Sequence, residues 1–308
     1  MENLNNIAVL YGGSSSERDI SLQSGEGVSK ALIELGFSTS LIDYKDLSSL
    51  NLLKNFDFVF IALHGFEGES GILQKNLNDL KIKYTGSSAD GCRNSWNKKI
   101  TKNILKKNNI NTPNWIEIEN LSNFDLDLGI RHKAFDIFKP FDSIFLKPLE
   151  DGSSIDIFKV DKNLDFKKYY LSCSNPNRAF IFEEYIEGRE FTVTIVDNKC
   201  YPPIEIITQN EFYDYEAKYI SNQTILKKAD LSKTNLIEIK SLALNAFHTL
   251  NCKGWGRVDF LQSKDGDFYV IEVNTVPGMT THSCVPKSGS YVNLSYNEIV
   301  NKIIYASM

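Results

Sequence analysis

The chain has 308 residues, 42% hydrophobic and 24% charged, with a net charge of -5. That length suits two or three domains with a large buried core. Its 34 lysines and arginines are scattered over an acidic chain, which excludes an electrostatic footprint for nucleic acid or a membrane surface. Cys92, Cys173, Cys200, Cys252 and Cys284 lie far apart, with no CxxC and no Cys/His ligand spacing, and read as reduced thiols in a cytoplasmic protein.

The N-terminal apolar run IAVLYGG ends at two glycines, too short for a signal peptide or a spanning helix. It reads as a buried strand, followed by a helix over SLQSGEGVSKALIELG, a strand at STSLIDY and a second buried strand at FDFVFIALHG. This alternation predicts a parallel α/β sheet. Ligands collect at the carboxyl ends of such strands, so Gly12-Gly13 and His64-Gly65 are candidate site walls. A boundary falls near residue 93, before the helical NKKITKNILKKNNI. SIFLKP, DGSSIDIFKV and FIFEEYIEGREFTVTIV then suggest a smaller α+β unit. EFYDYEAKYI lacks a period and reads as a long loop, and NLIEIKSLALNAFHTL as a helix.

The stretch GWGRVDFLQSKDGDFYVIEVNTVPGM predicts a hairpin. With a two-residue turn at Asp265-Gly266, Lys264 faces Asp267, Asp259 faces Glu272 and Arg257 faces Asn274. Alternation then gathers Arg257, Asp259, Glu272 and Asn274 on one face, and Val258, Phe260, Ile271 and Val273 on an apolar one. Opposed carboxylates destabilise a sheet unless a cation sits between them. Two carboxylates and an amide oxygen suit magnesium carried in on nucleotide phosphates. Two alternatives stand beside this: one carboxylate simply pairs with Arg257, or a longer loop at SKDGD shifts the register. Beyond the strand, the Gly278 turn permits close backbone approach, and its N–H beside Arg257 has the makings of an oxyanion pocket.

YGGSSSERDISLQSG, LHGFEGESGILQ, KYTGSS, KPLEDGSSI, EGREFTV, FYDYEAKY, CKGWGRVDF and EVNTVPGMTTHSCVP occur in this order over essentially the whole chain. Together they resemble the D-alanine:D-alanine ligase family of the ATP-grasp superfamily. The resemblance implies a three-domain ATP-grasp fold of α/β and α+β units: a Rossmann-like substrate domain over 1–93, a central subdomain over 94–182 and a C-terminal subdomain over 183–308. It also implies ATP as co-substrate, Mg2+ or Mn2+, typically two ions, and a homodimer. The reaction implied joins two D-alanine molecules through a D-alanyl phosphate for cell-wall peptidoglycan precursors. The alternative is a related ligase using D-lactate or D-serine as second substrate.

By position in the motifs, the resemblance implies that Glu17, held by Ser153 and Tyr219, receives the first D-alanine ammonium. A helix N-terminal charge is the plainer account of Glu17. Lys98 and Lys147 match phosphate-binding lysines, although lone lysines are more often solvated. Glu183 and Glu190 match contacts to the adenine amino group and the ribose. Lys218 and Ser283 match groups around the second substrate and the transferring phosphate. His64, Tyr213 and Cys284 fall among the substrate positions. Arg257 and the Gly278 N–H match the oxyanion site, and Asp259, Glu272 and Asn274 the metal site. Tyr219 favours an amine nucleophile, hence a dipeptide. The chain departs from the family pattern at HGFEGESG, at Asn97 for an aspartate, at Asp156 for a glycine and at Cys284 for a leucine. Cys284 otherwise reads as a small buried hydrophobe. A non-catalytic ATP-binding protein is one rival. A dinucleotide-dependent oxidoreductase is another, weakened because YGGSSSE lacks GxGxxG spacing.

Overall fold

Strand β1 (Asn6–Tyr11) buries Ile7 to Leu10 completely, because a parallel strand covered on both faces has no polar side to show. It pairs in parallel with β2 (Ser38–Asp43) and β3 (Phe58–Ile61) in the order β2-β1-β3. Helix α1 (Arg18–Glu34) crosses between β1 and β2 and seats Gly25 on Tyr11, where a Cβ would come within 2.5 Å of the Tyr11 Cβ. Helices α2 (Phe66–Glu69), α3 (Ile72–Asp79) and α4 (Ala89–Trp96) follow β3. Gly12-Gly13 and His64-Gly65 lie just beyond the carboxyl ends of β1 and β3, as expected. This computed structural model describes residues 4–121, 143–161, 169, 171–210, 212, 213, 217 and 223–308.

Helix α5 (Lys98–Lys107) opens the next segment, with the Asn97 side chain accepting from the Ile100 N–H at 3.0 Å as its N-cap. An antiparallel sheet follows, made of β4 (Trp115–Ile118), β5 (Ser143–Pro148), β6 (Phe158–Asp161) and β7 (Phe180–Glu184) in the order β4-β7-β5-β6. The third sheet contains β8 (Gly188–Val196), β9 (Lys199–Cys200), β10 (Ile204–Ile207), β11 (Ile225–Lys228), β12 (Trp255–Ser263) and β13 (Phe268–Asn274). Its order is β11-β10-β8-β12-β13, with β9 also on β8. Helix α6 (Lys233–Thr249) packs Ile239, Ala243, Ala246 and Phe247 against it. The chain ends in α7 (Cys284–Ser290) and α8 (Tyr296–Ala306). Helix α8 places Ile299, Val300, Ile303 and Ile304 in the same core as β1 and β3, so the C-terminus closes onto the first sheet. Among the described residues no helix is long and apolar enough to cross a membrane.

The boundaries expected at 93/94 and 182/183 each fall inside an element, α4 and β7. Arg93 stays with its helix. Glu183 pairs with Trp115 and Phe145, so it belongs to the four-stranded sheet.

The hairpin of β12 and β13 differs from expectation at its turn and agrees at its far end. Ser263 N–H donates to the Asp267 carbonyl at 2.9 Å and Gly266 N–H to the Ser263 carbonyl at 3.0 Å. The loop is therefore three residues long, Lys264 to Gly266, with Gly266 at φ 98° where a left-handed residue is required. The shorter register gives Leu261↔Tyr269 and Phe260↔Val270. A bulge at Ile271 then restores Asp259↔Glu272 and Arg257↔Asn274. Because of the bulge Ile271 leaves the apolar face assigned to it: Val270 takes the core place, and Ile271 and Glu272 both turn toward the cavities described next.

Candidate active site

Two cavities meet among the three sheets. The larger, about 880 Å³, lies beyond the carboxyl ends of β1 and β3 and is lined by Glu17, His64, Ser153, Arg257, Asn274, Gly278, Ser283 and Cys284. The smaller, about 480 Å³, is lined by Lys147 and Glu183 from one sheet and Glu190 and Asp259 from another. Lys98, Tyr213, Ile271 and Glu272 line both, so the cavities join at a lysine and a carboxylate. Of the residues expected at the site, only Lys218 and Tyr219 lie outside the described residues.

Strand alternation fixes the metal-site candidates. Asp259 Oδ1 accepts from Thr192 Oγ1 at 2.6 Å and Arg257 Nε at 2.8 Å; Oδ2 accepts from Arg257 Nη2 at 2.7 Å and Asn274 Nδ2 at 3.0 Å. The cation facing Asp259 in this structure is thus the Arg257 guanidinium. Burial would lower the Arg257 pKa, but Asp259 raises it well above the ordinary value. Among the described residues Glu272 makes no ion pair, and it receives only the Asn274 amide at 3.4 Å. No group of three His, Cys, Asp or Glu forms a cation cage among those residues. The donor set of Asp259, Glu272 and the Asn274 amide oxygen instead fits magnesium, which is held through one or two carboxylates and completes its shell with substrate phosphates. Both Asp259 oxygens already take two donors, so an ion gains this ligand only in exchange for one of them.

Two lysines share one buried carboxylate. Glu183 receives Lys147 Nζ on Oε1 and Lys102 Nζ on Oε2, the latter at 2.7 Å. Lys102 also donates to Thr112 Oγ1 at 2.9 Å and the Pro113 carbonyl at 3.1 Å. Burial would push the Glu183 carboxyl up, and the two ammonium groups hold it below the usual range. Lys98 sits at the start of α5, donates to the Asp151 carbonyl at 2.8 Å and has its pKa lowered by burial to about 8. Neither Lys98 nor Lys147 is a solvated surface charge.

Glu17 stands at the N-cap position of α1 without making a side-chain cap. Its Oε1 instead accepts from Ser153 Oγ at 2.5 Å. His64 is buried with both ring nitrogens engaged: Nδ1 on the Val276 carbonyl at 2.8 Å and Nε2 on Ser24 Oγ at 3.0 Å. The carbonyl can only accept, so the proton is on Nδ1 and the Ser24 hydroxyl donates to Nε2. Burial lowers the imidazole pKa and keeps it neutral. Ser24 Oγ in turn accepts the Met279 N–H at 3.0 Å. His64 therefore reaches the cavity wall as an anchor of the 276–279 segment, with no ring nitrogen left for a substrate. Among the hydrogen bonds of the described residues none uses the Gly278 N–H. A Cβ on Gly278 would come within 2.9 Å of Ser283 Oγ, which receives the Thr280 N–H at 3.0 Å. Cys284 packs with Ile204 and Ile206, and burial raises its thiol to about 11. That matches a small hydrophobe better than a reactive group.

A family model described as D-ala D-ala ligase C-terminus matches residues 104–305. The D-alanine--D-alanine ligase of Ruthia magnifica subsp. Calyptogena magnifica is 38% identical over 306 residues, covering 97% of this chain and 99% of its own. The chain belongs to the D-alanine--D-alanine ligase family. A crystal structure of the Bacillus anthracis D-alanine--D-alanine ligase complexed with ATP superposes with a TM-score of 0.84 at 29% identity, covering 98% of this chain and 97% of that one. The VanG D-Ala:D-Ser ligase of Enterococcus faecalis shares the fold, with a TM-score of 0.83 at 23% identity over 99% of this chain and 100% of that one. The parallel sheet and the two antiparallel sheets are therefore those of an ATP-grasp ligase.

The site of this ligase also contains or rests on residues with little or no sequence signal of their own. Lys102 lies one helical turn after Lys98, and only that spacing hinted that it reaches the same interior. Glu69 lines the larger cavity and accepts the Gly65 N–H at 3.1 Å; burial, with Glu17 adding to it, raises its carboxyl to about 8. Thr192 and Ser24 offered no pattern, since each acts through a partner distant in sequence. The Asn97 departure is absorbed locally: besides capping α5, its amide donates to Glu150 at 2.6 Å.

Proposed function

We propose that the protein joins two D-alanine molecules, using ATP, through a D-alanyl phosphate, and so supplies a peptidoglycan precursor. The observation that carries this is the junction of the two cavities at Lys98 and Glu272. An amino acid in the larger cavity, with its ammonium on Glu17, presents its carboxylate toward a phosphate donor in the smaller one. Ser153 keeps the Glu17 carboxylate aimed. Lys98 and Lys147 bind phosphate oxygens, while Glu183 and Glu190 take the base and the ribose. Lys102 keeps Glu183 neutralised when Lys147 turns to a phosphate. When bound, magnesium on Asp259, Glu272 and Asn274 offsets the charge on the transferring phosphate.

The second amine attacks the carbon of the acyl phosphate; the tetrahedral oxyanion that forms needs donors, and its collapse breaks the C–O bond and releases phosphate. Arg257 spends Nε and Nη2 on Asp259, which leaves Nη1 to serve with the Gly278 N–H of the same cavity wall as the donors. Ser283 and Cys284 border the place for the second substrate. Lys218 and Tyr219 complete the proposed site on the strength of the family motif. Membership of the family favours a homodimer, and five free cysteines favour the cytoplasm.

The test is product analysis. With ATP and magnesium, a mixture of D-alanine, D-serine and D-lactate is expected to yield D-alanyl-D-alanine as the main product by mass spectrometry. Predominant D-alanyl-D-serine or D-alanyl-D-lactate would assign the second site to the other substrate.

A further inference from the structure

The β5–β6 loop roofs the junction of the two cavities. Ser153 Oγ donates to Glu17 at 2.5 Å, Ser154 Oγ to the Tyr213 carbonyl at 3.1 Å, and Lys98 Nζ to the Asp151 carbonyl at 2.8 Å. Yet the loop holds a shape its own residues resist. Ser153, Ser154 and Asp156 lie at φ 53°, 58° and 54°, in the left-handed region that favours glycine. Such a conformation persists only where the surroundings over-determine it.

The surroundings that do so converge on Asp156. Its Oδ1 accepts the Ser174 N–H at 2.9 Å, and its Oδ2 accepts Ser174 Oγ at 2.5 Å, Cys173 Sγ at 3.4 Å and Arg178 Nη2 at 2.5 Å. The other nitrogen of that guanidinium, Nη1, grips the Asp151 carboxylate. One arginine just before β7 thus clasps the loop at both ends, and its planar fork rests over the Phe180 ring at 5.6 Å. Asp156, Ser174 and Arg178 line neither cavity. Their contacts run to the loop and not into either cavity.

We propose that Asp156, through Arg178, is a latch that holds the Ser153-Ser154 loop closed over the nucleotide site before nucleotide arrives. A glycine at this position would satisfy the backbone angle freely and release the clasp. An aspartate tolerates the angle and makes the clasp. Closure before binding removes the ordering cost that ATP would otherwise carry, since apparent affinity falls with the fraction of protein in the competent state. This last step rests on the function proposed above; the latch itself does not.

The experiment compares wild type with Asp156→Gly by amide hydrogen exchange over residues 152–157 without nucleotide, and by steady-state kinetics. In Asp156→Gly, exchange is expected to be about tenfold faster without nucleotide, and to slow again with ADP and magnesium. KM for ATP is expected to rise about tenfold, with kcat changed less than about threefold. Asp156→Asn keeps the backbone tolerance and one acceptor but loses the charge, so it falls between the two. The double variant Asp156→Gly/Arg178→Met is expected to be no worse than Asp156→Gly. Equal exchange in nucleotide-free wild type and Asp156→Gly would overturn the latch. Because exchange needs no turnover, a loosened loop in a protein that never consumes ATP would sustain the latch and overturn the nucleotide function.

Discussion

The Ser153 hydroxyl donates to the Glu17 carboxylate at 2.5 Å, joining the β5–β6 loop to the start of α1 on the first sheet. In the proposed site, recognition of the first amino acid and closure over the nucleotide would therefore share one contact. Ser153→Ala removes a hydrogen bond to a charged group, worth about 1.5–3 kcal/mol. KM for D-alanine in the first half-reaction is expected to rise roughly 10- to 100-fold by that magnitude. Initial-rate kinetics at saturating ATP check this, and an unchanged KM would remove Ser153 from substrate binding.

Lys98 gives the enzyme a basic limit. Burial lowers its pKa to about 8, so the ammonium is present below that pH and lost above it. Its proposed phosphate contact follows the same sign. The kcat/KM for ATP, which reports the free enzyme, is expected to fall as pH rises through 8. Lys98→Arg keeps its charge over this range and is expected to flatten the profile, even if its absolute rate is lower. A profile with the same fall in both proteins would assign the titration elsewhere.

The Lys102–Glu183–Lys147 triad predicts a non-additive set of variants. Lys102→Met strips a sealed carboxylate of one partner, and breaking a buried pair costs about 3–5 kcal/mol. Chemical denaturation should register that loss, together with weaker ATP binding. Adding Glu183→Gln together with Lys147→Met is expected to recover most of the stability, because no lone buried charge of the triad then remains. It should not recover ATP affinity, since the proposed contact of Glu183 with the base is lost as well. Additive destabilisation would contradict the triad.

Glu69 links stability to pH. Its folded pKa, raised to about 8 by burial and Glu17, lies above the ordinary carboxyl value of 4.5. The folded state therefore binds the proton more tightly than the unfolded chain. The resulting stabilisation is full below 4.5 and is lost as pH rises toward 8. Melting temperatures of wild type and Glu69→Gln should accordingly diverge between those limits, with wild type losing ground as pH increases. Parallel curves would place the proton on another group.

How much of this was legible beforehand depends on the range over which each signal acts. The parallel strands, α1, α5 and α6 announce themselves through local period and apolar runs. The pairing Asp259↔Glu272 also follows from counting, but through two departures that cancel: a loop one residue longer than Asp265-Gly266 alone, and a bulge at Ile271. No pattern in YVIEVN marks that bulge, so the turn of Ile271 toward the cavities was out of reach. Lys102 reads as solvated because a lysine usually is, and its burial depends on Glu183, Thr112 and Pro113 arriving from other elements. His64 was legible as a wall residue, whereas its bond to Val276 joins positions far apart in the chain. The family motifs named candidate residues; the contacts show which of them, like His64, are held by or hold other groups in place.

In the proposed site, Glu272 sits where an activated carboxylate and a nucleotide phosphate meet. Phosphate release from ATP and magnesium, followed with and without millimolar D-alanine in wild type and Glu272→Gln, tests this placement most directly. Release in wild type is expected to depend on D-alanine. In Glu272→Gln it should fall by about 10³-fold or more at an unchanged melting temperature, as befits loss of a group acting on transition-state charge. D-alanine-independent release in wild type, or near-native release in a well-folded Glu272→Gln, would contradict it.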